Sequence, residues 1–166
     1  MKRAIATLAA AGMLVLAVAA PAAARSGPTI TDTAIAVNAE TGEFSQLIAA
    51  ASRAGLVGAL DGNRQLTVFA PTDAAFADLY ATLGVTGVDE IPVATLRAVL
   101  LHHVAPGERF SDDVLDASRI RTLNRDFVFP GTDGGASIDD ASIVAADIDA
   151  SNGVIHVIDA VLLPGS

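Results

Sequence analysis

The chain has 166 residues, 52% of them hydrophobic and only 4% aromatic, and a formal net charge of −9 at pH 7. This length suits one domain with one core, and the acidic balance argues against nucleic acid and anionic membrane surfaces as partners. Because the sequence contains no Cys, disulfides and cysteine-based metal sites are excluded.

The first 24 residues have the pattern of a cleavable secretory signal peptide. Lys2 and Arg3 precede an uncharged apolar run at residues 4–20, and small residues follow it, so we expect cleavage after Ala24. The alternative is a retained anchor, but the run is at the short end of the ~17–25 residues that a spanning helix needs. We therefore expect an exported protein, periplasmic or extracellular, with no membrane insertion after cleavage. Cleavage also raises the negative charge, because 8 basic and 19 acidic residues remain, a net charge of −11.

The first half of the remaining chain is predicted to be mainly helical, from the spacing of its apolar residues and its Gly and Pro punctuation. In chain order the segments are a flexible arm at residues 25–32, an amphipathic helix at 43–54, an apolar strand at 66–70, a helix capped by Thr72 or Asp73, and a helix from Pro92 to about His103.

The second half changes to short segments of β character separated by Gly, Asn and Pro turns. After one acidic helical turn at residues 111–116, the predicted strands are 119–123, 126–129, 136–138, 142–148 and 154–163. Helices followed by a run of strands predict a single α+β domain, with N-terminal helices packed on a β-meander or wedge of short strands.

Three segments carry a family resemblance. Residues 67–76 read TVFAPTDAAF, residues 100–107 read LLHHVAPG, and residues 152–164 read NGVIHVIDAVLLP. In this order they resemble the fasciclin domain family, over about residues 33–164. We assign a structural role to the residues that match the family motifs: Thr67, Phe69, Pro71, Thr72, Asp73, Phe76, His103, Pro106, Gly107, Asn152, Gly153, His156 and Asp159.

The two motif histidines are expected to be buried. His103 shares the apolar face of its predicted helix, and a buried imidazole needs partners for both ring nitrogens; we predict Thr72 and Asp73 as those partners. His156 lies on a strand that is apolar on both faces. His102 occupies the position where the family has an aromatic residue, so the family's Tyr-His contact motif is not carried over.

The sequence offers no pattern for catalysis. Adjacent His102 and His103 point to different sides of a helix and cannot chelate one ion well, and no Gly-x-Ser-x-Gly nucleophile motif occurs. The acidic pairs at residues 112–113 and 139–140 do not have EF-hand spacing. We expect no catalytic residue, no metal and no cofactor, and hence no enzyme.

Three functions remain open. The resemblance implies a cell-surface or matrix adhesion module whose partner is an unknown surface protein or polysaccharide, with candidate patches at residues 85–88, 109–113 and 132–136. The alternative is a periplasmic carrier of a small apolar ligand such as a lipid or pigment. A carrier predicts a wide pocket lined by Phe44, Leu47, Phe76 and Leu79. The third possibility is a stabilising periplasmic protein without a specific ligand.

Overall fold

The structure is a computed structural model and describes residues 26–165. The predicted signal peptide and its cleavage site after Ala24 lie outside the described residues. The helices are α1 (Ile30–Thr41), α2 (Ser45–Ala54), α3 (Val57–Leu60), α4 (Asp73–Leu83), α5 (Val93–His102) and α6 (Ser111–Asp116), with a 3₁₀ turn at Val88–Glu90. The strands are β1 (Leu66–Pro71), β2 (Val104–Pro106), β3 (Ile120–Arg121), β4 (Phe127–Val128), β5 (Pro130–Gly131), β6 (Ser137–Ile138), β7 (Ala141–Ala150) and β8 (Gly153–Ile158).

The expected α+β class is confirmed, with helices at the N-terminal end and a sheet of short strands. The main sheet has the strand order β2-β1-β8-β7-β6-β5, and β3 and β4 form a separate ribbon. Its central pair, β1 and β8, is parallel, with Phe69 opposite His156, and its other pairs are antiparallel. This long-range pair brings the first and third motifs side by side, which sequence patterns did not predict.

Side chains of the sheet pack into two separate cores, one on each face of the sheet. Alternation along β8 sends Ile155 and Val157 to one face and His156 and Ile158 to the other. The first face packs against α1, α2, α4 and α5 in the larger cluster. The second face packs against residues from α6, β3, β4 and β6, including Val114, Ile120 and Ile138. The β-rich half therefore has its own apolar core, in addition to the core that the sheet forms with the helices.

The predicted flexible arm at residues 25–32 is wrong at its C-terminal end, because α1 begins at Ile30. Thr29 caps the helix and forms a capping box with Asp32. Ile30 is buried, with 2% of its surface exposed, and its N–H donates to Asn152 Oδ1 at 2.8 Å. The sequence analysis missed α1 because only three of its residues, Ile30, Thr33 and Ala34, are buried, so it has no clear apolar stripe.

The predicted strand at residues 154–163 is also too long at its C-terminal end. Strand β8 ends at Ile158, and Asp159 turns the chain by accepting the Ser142 N–H on Oδ1 at 2.7 Å. Beyond the turn, the Leu162 N–H bonds to a side chain, His103 Nε2, rather than to a neighbouring strand. An apolar run therefore continues past the strand because it covers the second core, to which Leu162 belongs.

Candidate functional site

His103 is a buried link between α5 and the C-terminal segment. Its Nδ1–H donates to the Val99 carbonyl at 2.7 Å, and its Nε2 accepts the Leu162 N–H at 2.9 Å. These bonds fix the neutral Nδ1–H tautomer. Burial lowers the pKa of His103 from 6.5 to about 4, against the raising effect of the Val99 carbonyl. Both ring nitrogens are satisfied by backbone groups, which leaves the ring no free atom for chemistry.

The predicted partners of His103, Thr72 and Asp73, do not contact it, so this prediction was wrong. Thr72 Oγ1 instead caps α4 by accepting the Ala75 N–H at 3.3 Å, and Asp73 Oδ1 accepts the Gln46 N–H in the first turn of α2 at 2.9 Å. Short side chains at a helix start bond the free N–H groups nearby in preference to a distant ring. Asp73 therefore joins α4 to α2, while Thr72 caps α4 and its N–H donates to the Ile158 carbonyl of β8.

His156 is fully buried on β8, in line with the alternation of its strand. Its Nε2–H donates to the Arg109 carbonyl at 2.8 Å, and its Nδ1 accepts the Asp147 N–H at 3.3 Å. The ring also stacks on Phe69 of β1, with 5.7 Å between ring centroids. Burial lowers the pKa of His156, while the Arg109 carbonyl and the Asp147 carboxylate act in the opposite direction.

Residues 107–111, which we call the strap, cross from β2 to α6 over this part of the sheet. Thr67 Oγ1 donates to the Gly107 carbonyl at 2.7 Å and accepts the Arg109 N–H at 2.9 Å. At the far end, the N–H and the hydroxyl of Ser111 both donate to the Asp147 carboxylate at 2.6 Å. Side chains of β1, β8 and β7 thus hold the strap, and Thr67 and His156 of the motifs are two of them.

Asn152 and Gly153 build the tight turn into β8. The Asn152 side chain accepts the Ile30 N–H and donates to the Leu60 and Gly62 carbonyls. Gly153 has φ +153°, and a Cβ there would lie 1.9 Å from the Leu66 carbonyl oxygen. Only Gly therefore fits this position, and the turn fastens α1 and α3 to the sheet.

The remaining motif residues are parts of the framework. Phe69 and Phe76 are core residues with at most 1% of their surface exposed. Pro71 ends β1, Pro106 pairs with Leu66, and Asp159 forms the turn after β8. The structure does not bring the thirteen motif residues together in one cleft, because they serve several separate junctions of the fold.

Within residues 26–165, no three His, Asp or Glu side chains are placed so that they could hold a metal ion. His102 is buried and lies near Thr122, at 3.5 Å between Nδ1 and Oγ1, rather than near acidic groups in bonding range. Burial lowers the pKa of His102, and Asp126 acts in the opposite direction. The three histidines are buried and bond to neighbouring segments of the fold.

An apolar cleft opens between α1, α2, α3 and α5, over strand β1. It encloses a cavity of about 60 Å³, and the empty space rises to about 760 Å³ when the open mouth is included. All four residues predicted to line a pocket belong to the larger core, but only Leu47 lines this cleft; Phe44, Phe76 and Leu79 do not. The wall contains one buried hydroxyl without a hydrogen-bond partner, Thr31 Oγ1.

The phenylalanines divide into two sets by position in the chain. Of the six Phe residues, Phe44, Phe69 and Phe76 are buried, with no more than 1% exposed, whereas Phe110, Phe127 and Phe129 are 38%, 39% and 55% exposed. The exposed set lies on the strap and on the ribbon and connector around the second core. The Arg119 guanidinium lies 4.5 Å from the centre of the Phe127 ring, a cation–π contact that presents the ring and a positive charge together.

The sequence did not single out these exposed aromatic side chains as a set of candidate binding residues. Only Phe110 falls in a predicted patch, residues 109–113. The patch at residues 85–88 contains Val88, which is 8% exposed, and the loop at residues 132–136 has no large apolar side chain. For two of them a signal was present in the sequence, since Phe127 and Phe129 alternate with Val128, which is buried.

Comparison with known proteins agrees with this fold. The family model for the fasciclin domain matches residues 42–164. The chain is 39% identical over 148 residues to "Protein sll1483" of Synechocystis sp., which covers 89% of this chain and 80% of the relative. It is 30% identical over 111 residues to "Cell surface glycolipoprotein MPB83" of Mycobacterium bovis, over 66% of this chain and 48% of that protein.

A solved structure has the same fold: a FAS1 domain pair from the insect cell adhesion molecule fasciclin I, with a TM-score of 0.67 at 18% identity. The match covers 82% of this chain and 51% of that one. A two-core α+β framework with these three motifs defines a fasciclin-type module, and the chain belongs to the fasciclin domain family. Relatives in the family include a cell-surface protein, and no helix within residues 26–165 is long and apolar enough to cross a membrane.

Proposed function

We propose that this protein is an exported, non-enzymatic interaction module that attaches to a surface protein or polysaccharide through its exposed phenylalanines. The observation that carries the proposal is the exposure of Phe110, Phe127 and Phe129. Aromatic residues are enriched where proteins bind partners, and they supply much of the binding energy there. The structural role of the motif histidines supports a function in binding rather than catalysis, since their ring nitrogens are occupied by backbone groups.

The charge of the domain narrows the kind of partner. The mature chain is strongly acidic, so a neutral or cationic surface fits it better than an anionic one. The Phe127 ring with Arg119 above it suits a flat apolar or sugar face. Two relatives described above, a cell-surface glycolipoprotein and a cell adhesion molecule, support a role at a surface.

The test is retention of the purified mature protein on the cell surfaces of the producing organism. Replacing Phe110, Phe127 and Phe129 together by Ser should reduce retention at least ~10-fold, because aromatic anchors each contribute about 1–2 kcal/mol at interfaces. The melting temperature should change by only a few degrees, since exposed side chains contribute little to stability.

A matched control replaces another exposed apolar residue far from this region. Leu83, at the end of α4, is 47% exposed, and Leu83→Ser should leave retention unchanged. Equal retention of the triple variant and the Leu83 variant would contradict the proposed surface.

A second candidate function, a carrier of a small apolar ligand, is favoured by the apolar cleft. Its cavity of about 60 Å³ is too small for a pigment, so α1 or α3 would have to move outward for such a ligand to enter the cleft. Thr31 Oγ1, buried without a partner, offers one hydrogen bond to a ligand with a single polar group.

This candidate is tested with a fatty acid and a fluorescent apolar probe. A carrier should bind them with micromolar affinity or better, and Ala34→Phe, which fills the cleft beside Thr31, should abolish binding. A matched control is Ala81→Phe, on the exposed side of α4. Absence of binding by the wild-type protein, or equal binding by both variants, would rule out the carrier function.

A further inference from the structure

His156 lies where the strap meets the sheet, and its hydrogen bonds depend on the protonation state of its ring. The ring has one donor and one acceptor, and both are in use: Nε2–H donates to the Arg109 carbonyl, and Nδ1 accepts the Asp147 N–H. Only the neutral Nε2–H tautomer satisfies both partners. A proton added at Nδ1 would point directly at the Asp147 N–H and remove that hydrogen bond.

The neighbouring carboxylate gives the protonated ring another partner. Asp147 lies in a bulge of β7, with φ +59°, and its carboxylate accepts both the N–H and the hydroxyl of Ser111. These bonds lower the pKa of Asp147 and so favour its ionised form. An imidazolium attracts this carboxylate more strongly than a neutral hydroxyl does.

We propose that His156 is a proton-sensitive latch: when neutral it holds the Asp147 bulge of β7 by accepting its N–H, and when protonated it draws the Asp147 carboxylate away from Ser111 and releases the Ser111 end of the strap. The Nε2–H of His156 keeps its bond to the Arg109 carbonyl in both states. The strap carries Phe110, but the proposal rests on the latch geometry and does not depend on the proposed function. The Ser111 end can open without global unfolding, because two bonds to one carboxylate hold it to β7, while the Gly107 N–H keeps the other end bonded to the Gln65 carbonyl.

Most of the charged groups on the elements around the ring are acidic and favour an imidazolium, whereas Arg109 is basic and disfavours it. The elements packed against His156 carry Asp147 and Asp149 on β7, and Glu108 and Arg109 on the strap, while β1 contributes Thr67 and Phe69, which carry no charge. The Nε of Arg109 is buried without a hydrogen-bond partner, which makes the closed strap less favourable. Burial lowers the pKa of His156, so release is expected in acid, below the ordinary range of histidine.

The experiment measures hydrogen exchange of the wild-type mature protein by NMR from pH 7.5 to 4.5, with rates corrected for the intrinsic pH dependence of exchange. Protection of the Ser111 and Asp147 amides should fall at least ~10-fold, with the same midpoint as the titration of the His156 ring protons. Amides of α4 should remain protected over this range. Unchanged protection while the ring titrates overturns the latch, as does simultaneous loss of protection in the strap and α4.

A variant separates the carboxylate's role from general acid effects. Asn tolerates positive φ, so Asp147→Asn keeps the bulge while removing the charge that receives the imidazolium. The midpoint of the loss of protection should shift to lower pH in this variant, because the imidazolium loses the carboxylate that stabilises it. A midpoint equal to that of the wild-type protein would overturn the partner exchange. Asp133→Asn, in the exposed loop after β5, is the matched control and should leave the midpoint unchanged.

Discussion

His103 shows how one residue couples the fold to pH. Its folded-state pKa is lowered from 6.5 to about 4 by burial, so the unfolded chain binds more protons between these values. The stabilising contribution is therefore complete above about pH 6.5 and is lost as the pH falls to about 4. The difference between the pKa values of the unfolded and folded states corresponds to about 3 kcal/mol of stability.

Replacing His103 by Ala should lower the free energy of unfolding at pH 8 by about 1–3 kcal/mol, through loss of its hydrogen bonds and exposure of the unpaired Leu162 N–H. The difference between wild type and variant should shrink as the pH falls below 6.5, because the wild-type protein loses the same contribution. Urea unfolding of both proteins at pH 8, 6 and 4.5 measures this difference in the free energy of unfolding. A difference that is constant over this range would contradict the assignment of His103.

The sequence predicted the burial of both motif histidines but not what they bind. Apolar spacing around His103 and alternation around His156 are local signals of burial. Their partners, the Leu162 and Asp147 N–H groups, belong to segments that approach only in the folded state. A preference for side-chain partners led to Thr72 and Asp73, whereas buried side chains bond the backbone more often.

At the scale of elements, the turn before β8 is the junction most sensitive to change. The parallel pairing of β8 with β1 places Gly153 against the Leu66 carbonyl, so any side chain there collides with backbone. Asn152 in the same turn fixes the start of α1 and the segment after α3. Two helices and the central strands thus depend on two adjacent residues.

Gly153→Ala should destabilise the protein by at least about 3 kcal/mol, through positive φ and the collision with Leu66. The matched control is Gly58→Ala in α3, where a Cβ meets no atom within 4 Å; it should be neutral or stabilise by up to about 1 kcal/mol. Chemical denaturation of both variants measures this. Similar stability of the two variants would show that the turn is not as close to β1 as described.

Helix α1 marks the limit of element prediction from this sequence. Helices α2 and α4, although shorter than α1, are recognisable because their apolar residues recur at helical spacing. Helix α1 contributes only Ile30, Thr33 and Ala34 to the interior, and its Thr29 and Asp32 capping box is a short signal next to an apparent arm. The pairing of β1 with β8 was unpredictable for another reason, since parallel strands far apart in sequence leave no turn signature.

At the scale of the whole molecule, the two cores lie under different kinds of surface. The helical half and the central strands hold the larger core, in which Phe44 and Phe76 are buried. The smaller core lies under strand β4 and the connector after it, which expose Phe127 and Phe129. Composition and motifs predicted the domain class and the family, but exposure of these rings depends on the face that each short strand turns outward.

In the proposed division of roles, the motif residues stabilise the fold and the exposed phenylalanines bind the surface partner. The most direct test measures cell-surface retention per folded molecule, together with melting temperature, for His103→Ala and for the triple Phe110, Phe127 and Phe129→Ser variant. We predict that the first lowers the melting temperature and keeps retention, and that the second keeps the melting temperature and loses retention. Loss of retention in folded His103→Ala, with full retention in the phenylalanine variant, would contradict the claim.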